Sequence, residues 1–149
     1  MKAVLFELSR EQSLRLMATA PVGRIIYTRQ AMPAVELVNF TIDGGDIVFR
    51  TASGGKLAVA IRGAIVAFEA DQYDAVTHGG WSVTVVGQAH EVTDSARAER
   101  LRAAGPHPWV PGDQPHLVAI TPGIVNGRCL SSAGSAPEGR DGALPVRAL

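Results

Sequence analysis

Cysteine is nearly missing from this 149-residue chain, which carries only Cys129. A single cysteine excludes an internal disulfide framework and any cysteine-rich zinc module. With no evident histidine partner, Cys129 reads as a small apolar filler. Lysine is almost as scarce, Lys2 and Lys56 standing against twelve arginines. Net charge is absent too, since 14 basic side chains cancel 14 acidic ones. No global field therefore draws the chain to nucleic acid or to a membrane surface. No apolar run approaches the ~20 residues that span a bilayer, and Ala3-Val4-Leu5-Phe6 is too short for a signal-peptide core. What is present is a hydrophobic content of 46% against 19% charged residues, the composition of one globular domain. The expectation is a cytoplasmic protein with a single domain over 1–130.

The first helix is marked by Ser9 as N-cap, with Gln12 completing a capping-box pattern. Leu14, Met17 and Ala18 form its apolar stripe, and Pro21 stops it. Strands follow over Val22–Thr28, Ala34–Ile42 and Ile47–Thr51. Asp43-Gly44-Gly45-Asp46 reads as a hairpin turn. With Gly44-Gly45 at its tip, facing positions sum to 89, so Ile42 meets Ile47, Phe40 meets Phe49 and Val38 meets Thr51 on one face, where Glu36 also lies. A short helix is expected over Lys56–Arg62, a buried strand over Ala64–Ala70 and a polar loop over Asp71–Gly80. Trp81–Val92 is a long strand with a bulge or bend at Gly87. Thr93 caps a helix through about Ala104, and a last strand or pair covers His116–Leu130. The fold class is mainly β with short helices, an α+β chain whose strands form a closed or partly closed barrel. From Ser131 onward, 12 of 19 residues are Ser, Ala, Gly or Pro, the composition of a flexible tail over 131–149.

Several chemical motifs fail. Gly54-Gly55-Lys56-Leu57 lacks the upstream glycine and the following Ser/Thr of a P-loop. Gly80-Trp81-Ser82-Val83-Thr84 lacks the second glycine of a nucleophile elbow. His78, His90, His107 and His116 have no paired metal-ligand spacing, and Asp71, Asp74 and His78 read as a solvated loop, so no metal site is expected. The stretch Phe49-Arg50-Thr51-Ala52-Ser53-Gly54-Gly55-Lys56 is different. It joins a strand end, hydroxyls, two glycines and a helix start with a cation, a combination that suits a phosphate. An ordinary strand-to-helix connection uses the same residue types.

In order along the chain, Ala20-Pro21-Val22-Gly23-Arg24-Ile25, Pro33-Ala34-Val35, Val38-Asn39-Phe40 and Ile47-Val48-Phe49-Arg50-Thr51 with Gly55-Lys56-Leu57 resemble the pyridoxamine 5′-phosphate oxidase-like proteins of the small actinobacterial type. Trp81-Ser82-Val83 with Gly87, Pro108-Trp109, and Ile120-Thr121-Pro122 to Gly127-Arg128 extend the likeness over 8–130. The resemblance implies an FMN-binding split β-barrel and a homodimer with FMN at each end of the subunit interface. It implies that Val38 and Asn39 lie along the isoalloxazine edge, and that Arg50 and Thr51 flank the ribityl-phosphate. Gly55 and Lys56, with Ser53 as a further donor, would close on the phosphate, and Trp81 and Ser82 would face the flavin. Trp109 is a weaker candidate for covering the pocket, and plain core or interface packing also explains either tryptophan, Trp109 more readily than Trp81. The chain departs from the family at Glu36, where a basic residue is common, and a carboxylate facing the phosphate would weaken FMN binding.

A flavin brings its own redox chemistry, so no residue is assigned as acid, base or nucleophile. The activity implied is that of an FMN-dependent oxidoreductase moving a hydride from a reduced nicotinamide to a small acceptor. Pyridoxamine phosphate oxidation itself is not expected, because Arg128 alone near the chain's end could hold a second phosphate. The alternatives are a deazaflavin-dependent reductase and a non-catalytic dimer that binds flavin or haem.

Overall fold

The structure, a computed structural model, describes residues 4–51, 57, 61–109, 116–131 and 144–145. Its strands are β1 (Val4–Leu8), β2 (Val22–Arg29), β3 (Met32–Asp43), β4 (Asp46–Thr51), β5 (Ile65–Tyr73), β6 (Gly80–Glu91), β7 (His116–Ser131) and β8 (Leu144–Pro145). Helix α1 spans Arg10–Met17 and helix α2 Ser95–Ala104. Of the helix expected over Lys56–Arg62, Leu57 and Ile61 are helical, and 56 and 58–60 lie outside the described residues. The strand order β4-β3-β2-β5-β6-β7 closes on itself through pairing of β4 with β7, giving a six-stranded barrel with β1 outside it. Closure depends on the length of β7. Its first part, from His116 to Ile120, pairs with β4, and its later part, from Gly127 to Ser131, pairs with β1. The mainly-β split-barrel architecture expected from the sequence is therefore present.

The β3–β4 hairpin keeps the anticipated register, with Phe40 opposite Phe49 and Ile42 opposite Ile47. The expected meeting of Val38 with Thr51 does not occur in this ladder. Pairing runs only as far as Phe40–Phe49, after which Val38 pairs with Gly23 and Thr51 with His116. Closing the barrel pulls the two strand ends toward different neighbours, and this is where the barrel splits.

Strand alternation sends Phe40, Ile47, Phe49, Phe68, Val83, Val85, Val118 and Ile120 into the barrel core. The opposite face of β4 and β7 packs Val48, Leu117 and Ala119 against Ala98 and Leu101 of α2. Helix α1 has the capping box read from the sequence: Gln12 N–H donates to Ser9 Oγ at 3.1 Å, and Ser9 N–H to Gln12 Oε1 at 2.9 Å. Helix α2 begins one residue later than expected. Asp94 rather than Thr93 is its N-cap, accepting from the Arg97 N–H at 2.8 Å, as an ionised carboxylate suits a helix N-terminus. β5 continues to Tyr73, so the polar loop is shorter than expected, because Asp71 and Gln72 pair with Ser82 and Trp81. Gly87 does mark a break in register, between Val86 and Gly87, where a Cβ would collide with the Thr121 carbonyl oxygen. Of the tail, Ser131 ends β7 and Leu144–Pro145 pairs with β1. No helix among the described residues is long and apolar enough to cross a membrane.

Candidate functional site

Thr51 ends β4 on the inner face of the barrel, below Phe49. It is 5% exposed, and its Oγ1 is the one buried side-chain polar atom among the described residues with no hydrogen-bond partner. Leaving a buried hydroxyl unpaired costs about 1–3 kcal/mol, so such an atom is informative. On the same face His116, its cross-strand partner, holds Glu91 of β6 through a 2.8 Å contact between Nδ1 and Oε1. That contact holds the Glu91 carboxyl below its usual range, against the opposing effect of burial. Ile61, Arg62, His90 and Val118 complete a cleft with this pair at the end of the barrel. His116, Glu91 and Arg62 were not anticipated. They are separated widely in sequence, and only the β6–β7 register brings the first two together.

The other anticipated residues occupy two faces. Val38 lies half-buried against the barrel core, whereas Asn39, next in β3, points outward. Its amide bonds at both ends: Nδ2 donates to the His107 carbonyl, and Oδ1 accepts from the Trp109 N–H at 3.3 Å. Trp81 is 4% exposed within the core and pairs with Gln72 and Cys129. Ser82 points outward between Asp71 and Arg128. Asn39 and Ser82 thus share the outer wall, three strand spacings or about 14 Å apart around it. Arg50 is half-buried on the side of β4 away from the core, opposite Leu117. Ser53, Gly55 and Lys56 lie outside the described residues. Cys129 is fully buried with Phe6 and Leu8, as a filler should be. Glu36 accepts from the Tyr27 hydroxyl at 2.8 Å.

The outer wall has a feature that no single strand shows. Val35, Ile26, Ala67, Val86 and Ile124 are successive cross-strand partners on β3, β2, β5, β6 and β7. They form an apolar row across five strands, and its ends, Val35 and Ile124, are 60% and 62% exposed. Beside the row, Arg24 Nη1 lies 3.1 Å from a Glu69 carboxylate oxygen and 3.4 Å from one of Asp71. Burial, and then the neighbouring Asp71, push the Glu69 carboxyl up to about 7 despite Arg24.

The chain was compared with known proteins. The family model for pyridoxamine 5′-phosphate oxidase matches residues 9–129. An uncharacterized Mycobacterium tuberculosis protein is 42% identical over 129 residues, covering 81% of this chain and 82% of its own. The solved FAD binding protein of Mycobacterium smegmatis is 31% identical with a TM-score of 0.70, covering 83% of this chain and 98% of that one. A conserved Corynebacterium diphtheriae protein of unknown function is 30% identical with a TM-score of 0.70, over 84% of this chain and 97% of that one. On its sequence and its split barrel alike, the chain belongs to the pyridoxamine 5′-phosphate oxidase family.

Proposed function

We propose that this chain is a flavin-binding oxidoreductase that works as a homodimer in the cytoplasm. The observation that carries the flavin reading is the unpartnered Thr51 Oγ1, buried where β3 and β4 separate. A hydroxyl left without an acceptor or donor in the protein is fit to meet a ligand oxygen. Ser53, Gly55 and Lys56 just after it in sequence have the chemistry of a phosphate cradle, while Arg50 before it points to the other face of β4. These residues fit the phosphate end of a flavin nucleotide. FMN is the nucleotide implied by the resemblance. FAD, which the M. smegmatis relative binds, shares its isoalloxazine ring and its first phosphate.

A bound flavin supplies two-electron chemistry: a hydride with its electron pair leaves a reduced nicotinamide, and the two electrons with protons pass to a small acceptor. The protein's part is to hold and orient the cofactor and to shape the acceptor's space. Anaerobic mixing of flavin-loaded protein with reduced nicotinamide tests this reading. Bleaching of the flavin absorbance supports it, and an unchanged spectrum contradicts hydride transfer.

The dimer reading is supported by the outer wall. An apolar row of five residues, exposed at both ends and half-buried between them, is a surface suited to a second subunit. Arg24, Glu69 and Asp71 beside it supply both signs of charge on one face, so the surface can be complementary to itself across a two-fold axis.

A further inference from the structure

Arg24 serves two acids of β5 with a single nitrogen, its Nη1 lying 3.1 Å from a Glu69 oxygen and 3.4 Å from an Asp71 oxygen. With both acids ionised this cluster carries one net negative charge, and with one proton it is neutral. Glu69 is the more buried acid, its side chain 21% exposed against 38% for Asp71, so the proton is placed there at least cost. Burial and then Asp71 push its carboxyl up to about 7, where the proton comes and goes near neutrality.

The strand register sets the cluster inside the apolar part of the outer wall. Ile26 lies two residues beyond Arg24 on β2, and Ala67 two residues before Glu69 on β5, so the cluster and the apolar row are adjacent rows of one face. Arg24 is also paired with Leu37 of β3, which is 62% exposed. A second copy that covers Val35, Leu37 and Ile26 therefore covers Arg24 and Glu69 as well. Of the strands flanking the cluster, β3 offers Leu37 and β6 offers Thr84 and Ser82, none of them charged. Arg128 of β7 lies beyond Ser82 and is paired in register with Glu7 of β1, which opposes its charge. His107 belongs to the loop held by Asn39, which pairs with Val22 two residues before Arg24.

Covering a net charge with apolar surface is costly, and a two-fold axis brings two such charges into one contact. A proton on each subunit removes both. We propose that the Arg24–Glu69–Asp71 cluster takes up a proton on each subunit when two copies of this chain meet, so that the dimer weakens as pH rises. The inference rests on the dimer reading above and adds to it what governs the contact. Below about 7 the free subunit already carries the proton, and affinity is level with pH. Above that value the proton must be taken up on contact, and the dissociation constant rises by up to about a hundredfold per pH unit for two protons per dimer.

The test is fluorescence-detected sedimentation of the purified full chain, diluted from micromolar to nanomolar at about pH 6 and about pH 8.5. Variants are Glu69→Gln, which keeps the shape and loses the charge, and Asp71→Asn, which leaves Arg24 one acid to balance. Each is checked for wild-type circular dichroism at both pH values. The wild-type dissociation constant should be roughly tenfold or more higher at the higher pH. Both variants should hold together there as tightly as the wild type does near pH 6, with no dependence on pH. A wild-type dimer that resists dilution equally at both values overturns the inference and leaves the dimer reading standing. Glu69→Gln with the wild-type pH dependence also overturns it, assigning the proton to another group such as His107. So does a Glu69→Gln chain that dissociates at both values, because the carboxylate would then be holding the contact. A wild type that is monomeric near pH 6 at micromolar concentration overturns the dimer reading and this inference with it.

Discussion

The Tyr27 hydroxyl donates a 2.8 Å hydrogen bond to Glu36 across the β2–β3 pair, tying the carboxylate that departs from the family pattern to the protein itself. Tyr27 is 4% exposed, and its phenol is held above its ordinary value by burial and then by Glu36. Glu36 therefore has a structural employment independent of any cofactor. Glu36→Arg should destabilise the chain by about 1–3 kcal/mol, the cost of an unpaired buried hydroxyl. Glu36→Gln keeps an acceptor and should cost much less. Denaturant unfolding measures both, and equal losses would show that the bond is unimportant.

Thr51→Val separates fold from function. Removing an unpaired buried hydroxyl without changing shape should leave the ligand-free protein as stable or up to about 1 kcal/mol more stable. Flavin affinity should fall by roughly three- to tenfold, the worth of one hydrogen bond. Unchanged affinity would make Thr51 a core residue and nothing more.

Glu69 gives a pH signature. Its folded value of about 7 lies above its usual 4.5, so between these values the folded state binds more protons than the unfolded chain. Its contribution to stability is full below about 4.5 and is lost as pH rises through 7. Asp43 has the opposite sign: hydrogen bonding to Arg100, then to Arg97, lowers its value, and its contribution is lost in acid. Glu69→Gln should therefore gain stability relative to the wild type as pH rises from 5 to 8. Paired melting curves across that range measure the difference, and a constant difference would refute the assignment.

Ile26 sits within the apolar row, paired with Val35 on one side and Ala67 on the other. Ile26→Glu places a charge there and should convert a dimer to a monomer with little change in secondary structure. Sedimentation velocity measures the outcome, and a wild-type chain that sediments as a monomer contradicts the dimer at once.

Much of the fold could be read locally. The two-residue turn at Gly44-Gly45 dictates the pairing of Phe40 with Phe49, and Gly87 announces its bulge because no Cβ fits beside Thr121. The Ser9–Gln12 capping box is equally local. Barrel closure was not legible in the same way. It joins β4 to β7 across 65 residues, as at Thr51 and His116, and so decides where the hairpin register must stop. The apolar row is hidden for a similar reason. Each strand gives it a single outward residue, which in its own strand reads as ordinary alternation. Trp109 was a candidate for covering the pocket, but the hydrogen bonds between its loop and Asn39 were invisible, because Asn39 lies 70 residues away. Asn39 was singled out as a site residue, yet its amide faces the loop.

The measurement closest to the central claim is a titration of the purified chain with FMN and FAD, followed by absorbance and by mass in solution. The account predicts saturable binding of one flavin per subunit in a particle of twice the chain's mass. A folded protein that binds neither nucleotide would contradict it.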